Sequence, residues 1–338
     1  MHYIKYTLFA QAWLFAKHIT FTKVRNYILS QFRLNLAKSH YKTGMPAMPW
    51  SLTIEPVSVC NLRCVECPVG TYTLYRNKGR INLDLYTAII HQSAPYLLNL
   101  FLYFQGESFI HPQIISIIKK ATEKNIYTVI STNGHYISQP MAESIILSKL
   151  SKIIISLDGH TQELYEKYRV GGDIEKVKAA IKNLSMAKQK YKTIHPVINV
   201  QCLITAYTEP YLAQIKTLAY SLGANIFTAK TLQVYNNGIS GLHLVKNLKN
   251  SRYITDNSNN IQVKQPIKNR CKRLYNSAVV TFDGNVVPCC FDKDATYTMG
   301  NIKHQNLNEI YKNPNYSNFR KQVFTNRTQI NMCKNCTE

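Results

Sequence analysis

Ser51-Leu-Thr-Ile-Glu-Pro-Val-Ser-Val-Cys60-Asn-Leu-Arg-Cys64-Val-Glu-Cys67 joins a short strand signal to three thiols within eight residues. Residues 51–56 read as a strand, so the thiols stand at the mouth of whatever sheet that strand joins. Three thiolates from one loop hold three irons of a 4Fe-4S cluster and leave the fourth iron open, whereas zinc takes a fourth protein ligand. An open iron is a reaction site. The competing account of the loop is a zinc knuckle, or thiols that are merely buried.

Outward from this loop, a β-branched or aromatic run, a polar turn and a longer helical period recur from about residue 50 to 235. Further strands are expected at 98–104, 127–131, 152–156, 197–203 and 226–232, with helices at 84–96, 112–124, 139–147, 174–190 and 209–222. Six strands alternating with helices predict an α/β fold with a parallel sheet, open or curled into a partial (β/α)6 barrel over residues 48–235. Such folds place their chemistry at the C-terminal ends of the strands. Here those ends read Cys60, Gly106-Glu107, Ser131-Thr132-Asn133, Asp158-Gly159 and Gln201, small and polar groups where a ligand would sit.

Residues 1–47 form an N-terminal extension of one or two amphipathic helices, packed on the body or lying on a membrane surface. Residues 236–268 turn to Asn, Gly and Ser with little period and read as a linker or long loop. Residues 269–338 form a small hairpin-plus-helix domain. The hairpin is marked by Asp283-Gly284 between alternating apolar residues, and five cysteines surround it: Cys271, Cys289, Cys290, Cys333 and Cys336. Four thiols with a terminal Cys-X2-Cys suit either an iron-sulfur cluster or tetrahedral zinc.

The 338 residues are 45% hydrophobic, 11% aromatic and 17% charged, which excludes a disordered tail, a collagen-like fibre and a disulfide mini-scaffold. No apolar run reaches the length of a membrane span. Nine cysteines without a secretory signal point to a reducing, cytoplasmic setting in which clustered thiols bind metal. The net charge of +23 is carried by singly scattered lysines, and no RNP motif, zinc-finger spacing or dense basic block marks a nucleic-acid partner.

The Cys-X3-Cys-X2-Cys motif after a first strand resembles the radical S-adenosylmethionine (radical SAM) enzymes. Tyr103-Phe104-Gln105-Gly106-Glu107-Ser108 is similar to their GGEP segment, which binds the methionine amino group. Ser131-Thr132-Asn133-Gly134 resembles their strand 3 turn. Ser156-Leu157-Asp158-Gly159 with Tyr168-Arg169 resembles the segment that contacts ribose and methionine carboxylate. The resemblance implies SAM contacts at Glu66, Gly106, Glu107, Ser131, Asn133, Ser156, Asp158, Arg169 and Gln201, and cluster ligands at Cys60, Cys64 and Cys67. Two departures stand out: Glu66 replaces the usual aromatic residue, and Gln105 and Ser108 replace Gly and Pro of the GGEP pattern.

The C-terminal cysteines open like a SPASM extension but lack the cysteines for two auxiliary clusters. Their spacing is similar to the shorter twitch-type extension of an aminocyclitol dehydrogenase. That likeness implies one auxiliary 4Fe-4S cluster on Cys271, Cys289, Cys333 and Cys336, with Cys290 spare or replacing its neighbour. The implied activity is hydrogen abstraction by a 5'-deoxyadenosyl radical, fed by an external electron donor and ending in oxidation of a peptide or protein. Dehydrogenation of a sugar or aminocyclitol alcohol is the alternative, and a zinc-stabilised basic binding protein is the alternative of another class. Cys202 reads as core, His111 as a capping residue, and Asp292 and Asp294 as turn residues or a substrate base. Tyr72 and Tyr75 are expected to line the pocket.

Overall fold

The computed structural model describes residues 12–40, 46–234, 244–245, 247–255 and 261–336. One sheet organises them. Strands β1 (Ser51–Ile54), β2 (Asn99–Phe101), β3 (Tyr127–Thr132), β4 (Lys152–Ser156), β5 (Val197–Ile204) and β6 (Ile226–Thr231) lie in chain order and pair in parallel. Parallel neighbours require a crossover at each step, and the expected helices supply it. These are α2 (Leu83–Ser93), α3 (Ile114–Glu123), α4 (Gln139–Leu147), the short α5 (Gln162–Glu166) with α6 (Ile174–Lys190), and α7 (Leu212–Ser221); α1 (Phe21–His40) precedes them all.

Local chemistry sets the helix starts. Asn82 accepts the Asp84 N–H at 2.7 Å ahead of α2, and Asp173 accepts the Glu175 N–H at 2.9 Å ahead of α6. On α3, Ile114, Ile117, Ile118 and Ala121 recur at helical spacing and are all buried. Strands covered on both faces read as largely apolar runs, and β5 buries six of its eight residues. Cys202 is among them, in its expected core place.

The C-terminal hairpin does not form a layer of its own. Strand β9 (Ser277–Val280) pairs in parallel with β1, Ser51 opposite Ser277, and carries β10 (Asn285–Val287) and β11 (Gly300–Asn301) with it into a nine-stranded sheet. Its turn places Gly284 at φ +92°, where a side chain would be strained. A one-turn helix, α8 (Arg273–Asn276), leads into the hairpin, and two helices follow it, α9 (Leu307–Lys312) and α10 (Pro314–Asn326). Arg320 of α10, 1% exposed, packs 3.9 Å from the Tyr316 ring centre and donates to the Leu274 carbonyl at 3.1 Å, tying α10 to the chain beside Cys271. Between β6 and β9, part of the expected linker is ordered as an antiparallel pair, β7 (Tyr253–Thr255) with β8 (Ile261–Val263).

The N-terminal segment packs on the body. Ser30 of α1 donates to the Tyr275 carbonyl at 2.7 Å, Asn26 donates to that of Met48 at 2.9 Å, and Leu34 and Ala37 are buried. Leu14 is buried with Tyr127, Val129 and Val197, under the N-terminal ends of the strands. On the opposite side of α1, Phe21, Ile28 and Phe32 are exposed. No helix among the described residues is long and apolar enough to cross a membrane.

Candidate active site

Backbone contacts shape the cysteine loop before any ligand does. It folds back on the chain after α5, with Arg63 N–H on the Val170 carbonyl (3.0 Å) and Val65 N–H on that of Tyr168 (3.2 Å). Gly70 is required for this path: a Cβ there would stand 2.6 Å from the Cys64 nitrogen. Gly106, at φ +80°, passes so close to the loop that a Cβ would meet the Val57 and Val59 carbonyls at 2.6 Å each. The adjoining Glu107 N–H donates to Val59 at 2.8 Å. Strand β1's exit and the segment after β2 are thereby locked together.

Cys60, Cys64 and Cys67 line one open cleft at the C-terminal ends of the strands. Gly106, Glu107, Ser131, Asn133, Ser156 and Arg169 share its wall. Leu62, Tyr103, Phe104, Thr132 and Tyr168 complete it, and of these the sequence singled out none as a cofactor contact. Burial pushes the Cys60 thiol up to about 12, an effect that metal coordination reverses by stabilising the thiolate. Arg169 Nη1 donates to Cys64 Sγ at 3.4 Å and places a cation beside that sulfur.

Not every expected contact reaches the cleft. Asp158 is 0% exposed; its carboxylate accepts Arg169 Nε and the Leu203 N–H, both at 2.5 Å, so it positions the arginine from behind. Glu66 is buried off the cleft wall, and Gln201 is half-buried on β5, also off the wall. Glu107 lines the cleft, yet its carboxylate already accepts Thr132 Oγ1 (2.8 Å), Asn133 N–H (2.7 Å) and Phe109 N–H (3.0 Å). It binds the end of β3 to the segment after β2. Asn133 in turn donates to Asn61 at 2.8 Å, inside the cysteine loop. Tyr72 and Tyr75 are exposed and lie outside this cleft. His111 accepts the Gln113 N–H at 3.1 Å and bonds the Ile81 carbonyl at 2.9 Å, the expected local role. Asp292 accepts the N–H groups of Thr296 and Tyr297, as a turn residue does.

A second, small cavity is ringed by Cys271, Cys289, Cys333 and Cys336, brought together from both sides of the hairpin and helices. Cys290 does not line it; its sulfur accepts Arg273 Nη1 at 3.4 Å instead. Arg327 Nη2 donates to Cys336 Sγ at 2.9 Å, a cation against a sulfur again. Four soft thiols brought together around one cavity suit an iron-sulfur cluster.

Family models bear directly on both thiol sites. The Radical SAM superfamily matches residues 54–202, and the SPASM iron-sulfur cluster-binding domain matches residues 271–337. The chain is a radical SAM enzyme with a C-terminal SPASM domain. Its cofactors are therefore a 4Fe-4S cluster with SAM and auxiliary iron-sulfur, and the zinc-stabilised binding protein gives way to the enzyme.

This radical SAM chain is 22% identical over 321 residues to the tungsten-containing aldehyde ferredoxin oxidoreductase cofactor-modifying protein of Pyrococcus furiosus, covering 85% of this chain and 86% of the relative. It is 22% identical over 290 residues to the S-adenosyl-L-methionine-dependent 2-deoxy-scyllo-inosamine dehydrogenase of Niallia circulans, covering 84% and 91%. Its fold is similar to that of anSMEcpe with bound AdoMet and Cp18Cys peptide, with a TM-score of 0.56 at 18% identity over 86% of each chain.

One further group joins the two halves of the radical SAM enzyme. Glu55, just past β1 and fully buried, accepts Arg76 Nη1 at 2.9 Å and Nη2 at 2.5 Å, and the N–H groups of Gln105 and Phe282 at 3.2 Å each. Arg76 Nε donates to the Lys293 carbonyl at 2.7 Å. A single ion pair thus fastens the cysteine loop, the segment after β2, the hairpin turn and the chain beyond Cys290. Sequence reasoning missed it; a buried carboxylate at the end of a strand was the available signal.

Proposed function

We propose that this radical SAM enzyme abstracts hydrogen from a peptide or protein and oxidises it. The observation that carries this reading is the convergence of Cys60, Cys64, Cys67, Gly106 and Arg169 on one cleft, with a separate ring of four thiols on the same sheet. In it, Cys60, Cys64 and Cys67 hold the SAM-binding cluster, and Cys271, Cys289, Cys333 and Cys336 hold the auxiliary one. When bound, SAM and its cluster would supply a 5'-deoxyadenosyl radical, and a fully ligated auxiliary cluster would offer a one-electron acceptor.

The chain's own residues provide position and shelter. Arg169, held at Nε by Asp158, pairs through its guanidinium with the methionine carboxylate, a planar geometry lysine lacks. Ser131, Asn133 and Ser156 present polar groups to the cofactor, while Leu62, Tyr103 and Phe104 keep water from the radical. An external one-electron donor completes the cycle. The consecutive order of β1 to β6 supports a partial (β/α)6 barrel over residues 48–235, with 1–47 as extension, 236–268 as connection and 269–338 as auxiliary domain. The reduced thiols suit the cytoplasm, and the exposed apolar row on α1, flanked by Arg25 and Arg33, supports peripheral membrane contact.

A second reading, dehydrogenation of a sugar or aminocyclitol alcohol, is favoured by the four thiols around one cavity and by the likeness to the inosamine dehydrogenase. The ligand assignment is tested by iron analysis of the anaerobically purified protein. Cys333→Ala loses about half of the iron, whereas Cys290→Ser keeps all of it. Iron retained in Cys333→Ala, or lost in Cys290→Ser, overturns the assignment.

A further inference from the structure

Helix α1 is amphipathic in the inverse sense. Its polar side chains Lys23, Asn26 and Ser30 are buried, whereas Phe21, Ile28 and Phe32 are 84%, 59% and 56% exposed. Spacings of seven and four residues put these three on one stripe of the helix, away from the face that packs on the body. Trp13 and Ile19, just before α1, are exposed as well. A row of this kind left open on a protein surface marks a contact site.

Three hydrogen bonds fix where this row lies. Lys23 Nζ donates to the Asn125 carbonyl at 2.5 Å, just ahead of β3, Asn26 donates to that of Met48, ahead of β1, and Ser30 to that of Tyr275, ahead of β9. Because β1, β3 and β9 run parallel in one sheet, α1 lies across their N-terminal ends. The cysteine cleft is at the other end of the same strands. Charge at the α1 end is one-sided. From Met1 to Ile54 the sequence has no Asp or Glu, and Arg25 and Arg33 of α1 are exposed with no ion pair among the described residues. Lys124, Lys149 and Lys192 are exposed in the loops that enter β3, β4 and β5. Glu123 stands beside Lys124, and Glu143 is already paired with Lys190 at 2.8 Å.

We propose that this end of the molecule docks on an anionic phospholipid membrane, with Phe21, Ile28 and Phe32 in the acyl boundary and Arg25 and Arg33 against the lipid phosphates. The proposal rests on the peripheral contact inferred above and adds to it the charge of the lipid and the orientation of the enzyme. The cleft then opens away from the bilayer, toward substrates in the water phase. A second copy of the chain is a poorer occupant, since a two-fold contact through this face sets its cations against their own copies. Neutral lipid takes the apolar row but leaves the cations without counter-charges.

The test is co-sedimentation of the anaerobic holoenzyme with vesicles of phosphatidylcholine alone and of phosphatidylcholine mixed with phosphatidylglycerol, at low and high salt. The wild type binds the mixed vesicles about tenfold more tightly, and salt weakens that binding. Ile28→Glu/Phe32→Glu loses about tenfold on the mixed vesicles, and Arg25→Gln/Arg33→Gln loses the preference for them. Both double variants keep their iron, because the side chains they change are exposed. Vesicle-bound enzyme releases methionine from SAM after dithionite reduction at the rate of free enzyme. No binding to the mixed vesicles, equal binding by an iron-replete Ile28→Glu/Phe32→Glu, or a dimer that this variant splits while vesicles go unbound overturns the proposal. Methionine release that stops on the vesicles overturns the orientation. Failure of the free enzyme to cleave SAM would instead sink the radical SAM reading and leave the membrane site in place.

Discussion

Replacing Cys64 by alanine abolishes reductive cleavage of SAM and lowers the iron content from about eight per chain to about four. The effect is all or none because Cys64 is the buried member of the trio, with Arg169 Nη1 on its sulfur at 3.4 Å and its carbonyl accepting the Cys67 N–H at 3.1 Å. No neighbouring thiol takes its place: Cys202 is on β5, in the core. The auxiliary cavity shares no residue with the cleft, so its iron stays. Iron analysis together with methionine release after dithionite reduction measures both halves of this expectation. Cys202→Ala, which removes a buried thiol from outside either site, keeps the full iron content. Persistent SAM cleavage by Cys64→Ala would remove the loop from the chemistry.

Substituting Glu55 by glutamine destabilises the protein by about 3–5 kcal/mol, the range for breaking a buried ion pair from one side. Arg76 has a side chain only 9% exposed, so its guanidinium loses the charge that justified burying it. The Gln105 and Phe282 N–H groups lose a charged acceptor at the same time. Denaturation by urea of the anaerobic holoenzyme measures the loss, and Glu55→Gln/Arg76→Met recovers part of it by removing the stranded cation. A loss below about 1 kcal/mol would make the pair no more valuable than a surface contact. Because Gln105 precedes Gly106, the variant also binds SAM more weakly than its residual stability alone accounts for.

The alternation of strands and helices was legible because it rests on local periodicity: Ile114, Ile117, Ile118 and Ala121 announce a helix face wherever the chain goes. Spacing grouped the seven expected ligand cysteines into two sets, and it left open whether Cys290 belongs to the second, whose cavity Cys290 does not line. What escaped was long-range. Glu55 meets Arg76 across 21 residues and Phe282 across 227, and no local pattern connects them. The pairing of β9 with β1 escaped for the same reason, as an edge strand seeks whatever partner lies alongside. Spacing does not show how the polar residues at the strand ends are oriented: Asp158 and Glu107 spend their oxygens on Arg169 and on the end of β3, which only the fold reveals.

Electron paramagnetic resonance of the anaerobically reconstituted, dithionite-reduced enzyme, recorded with and without SAM, tests the central claim most directly. The account predicts that SAM alters the signal of one cluster and that Cys64→Ala lacks the responsive signal while keeping the other. A wild-type spectrum that carries full iron and does not change when SAM is added would contradict it.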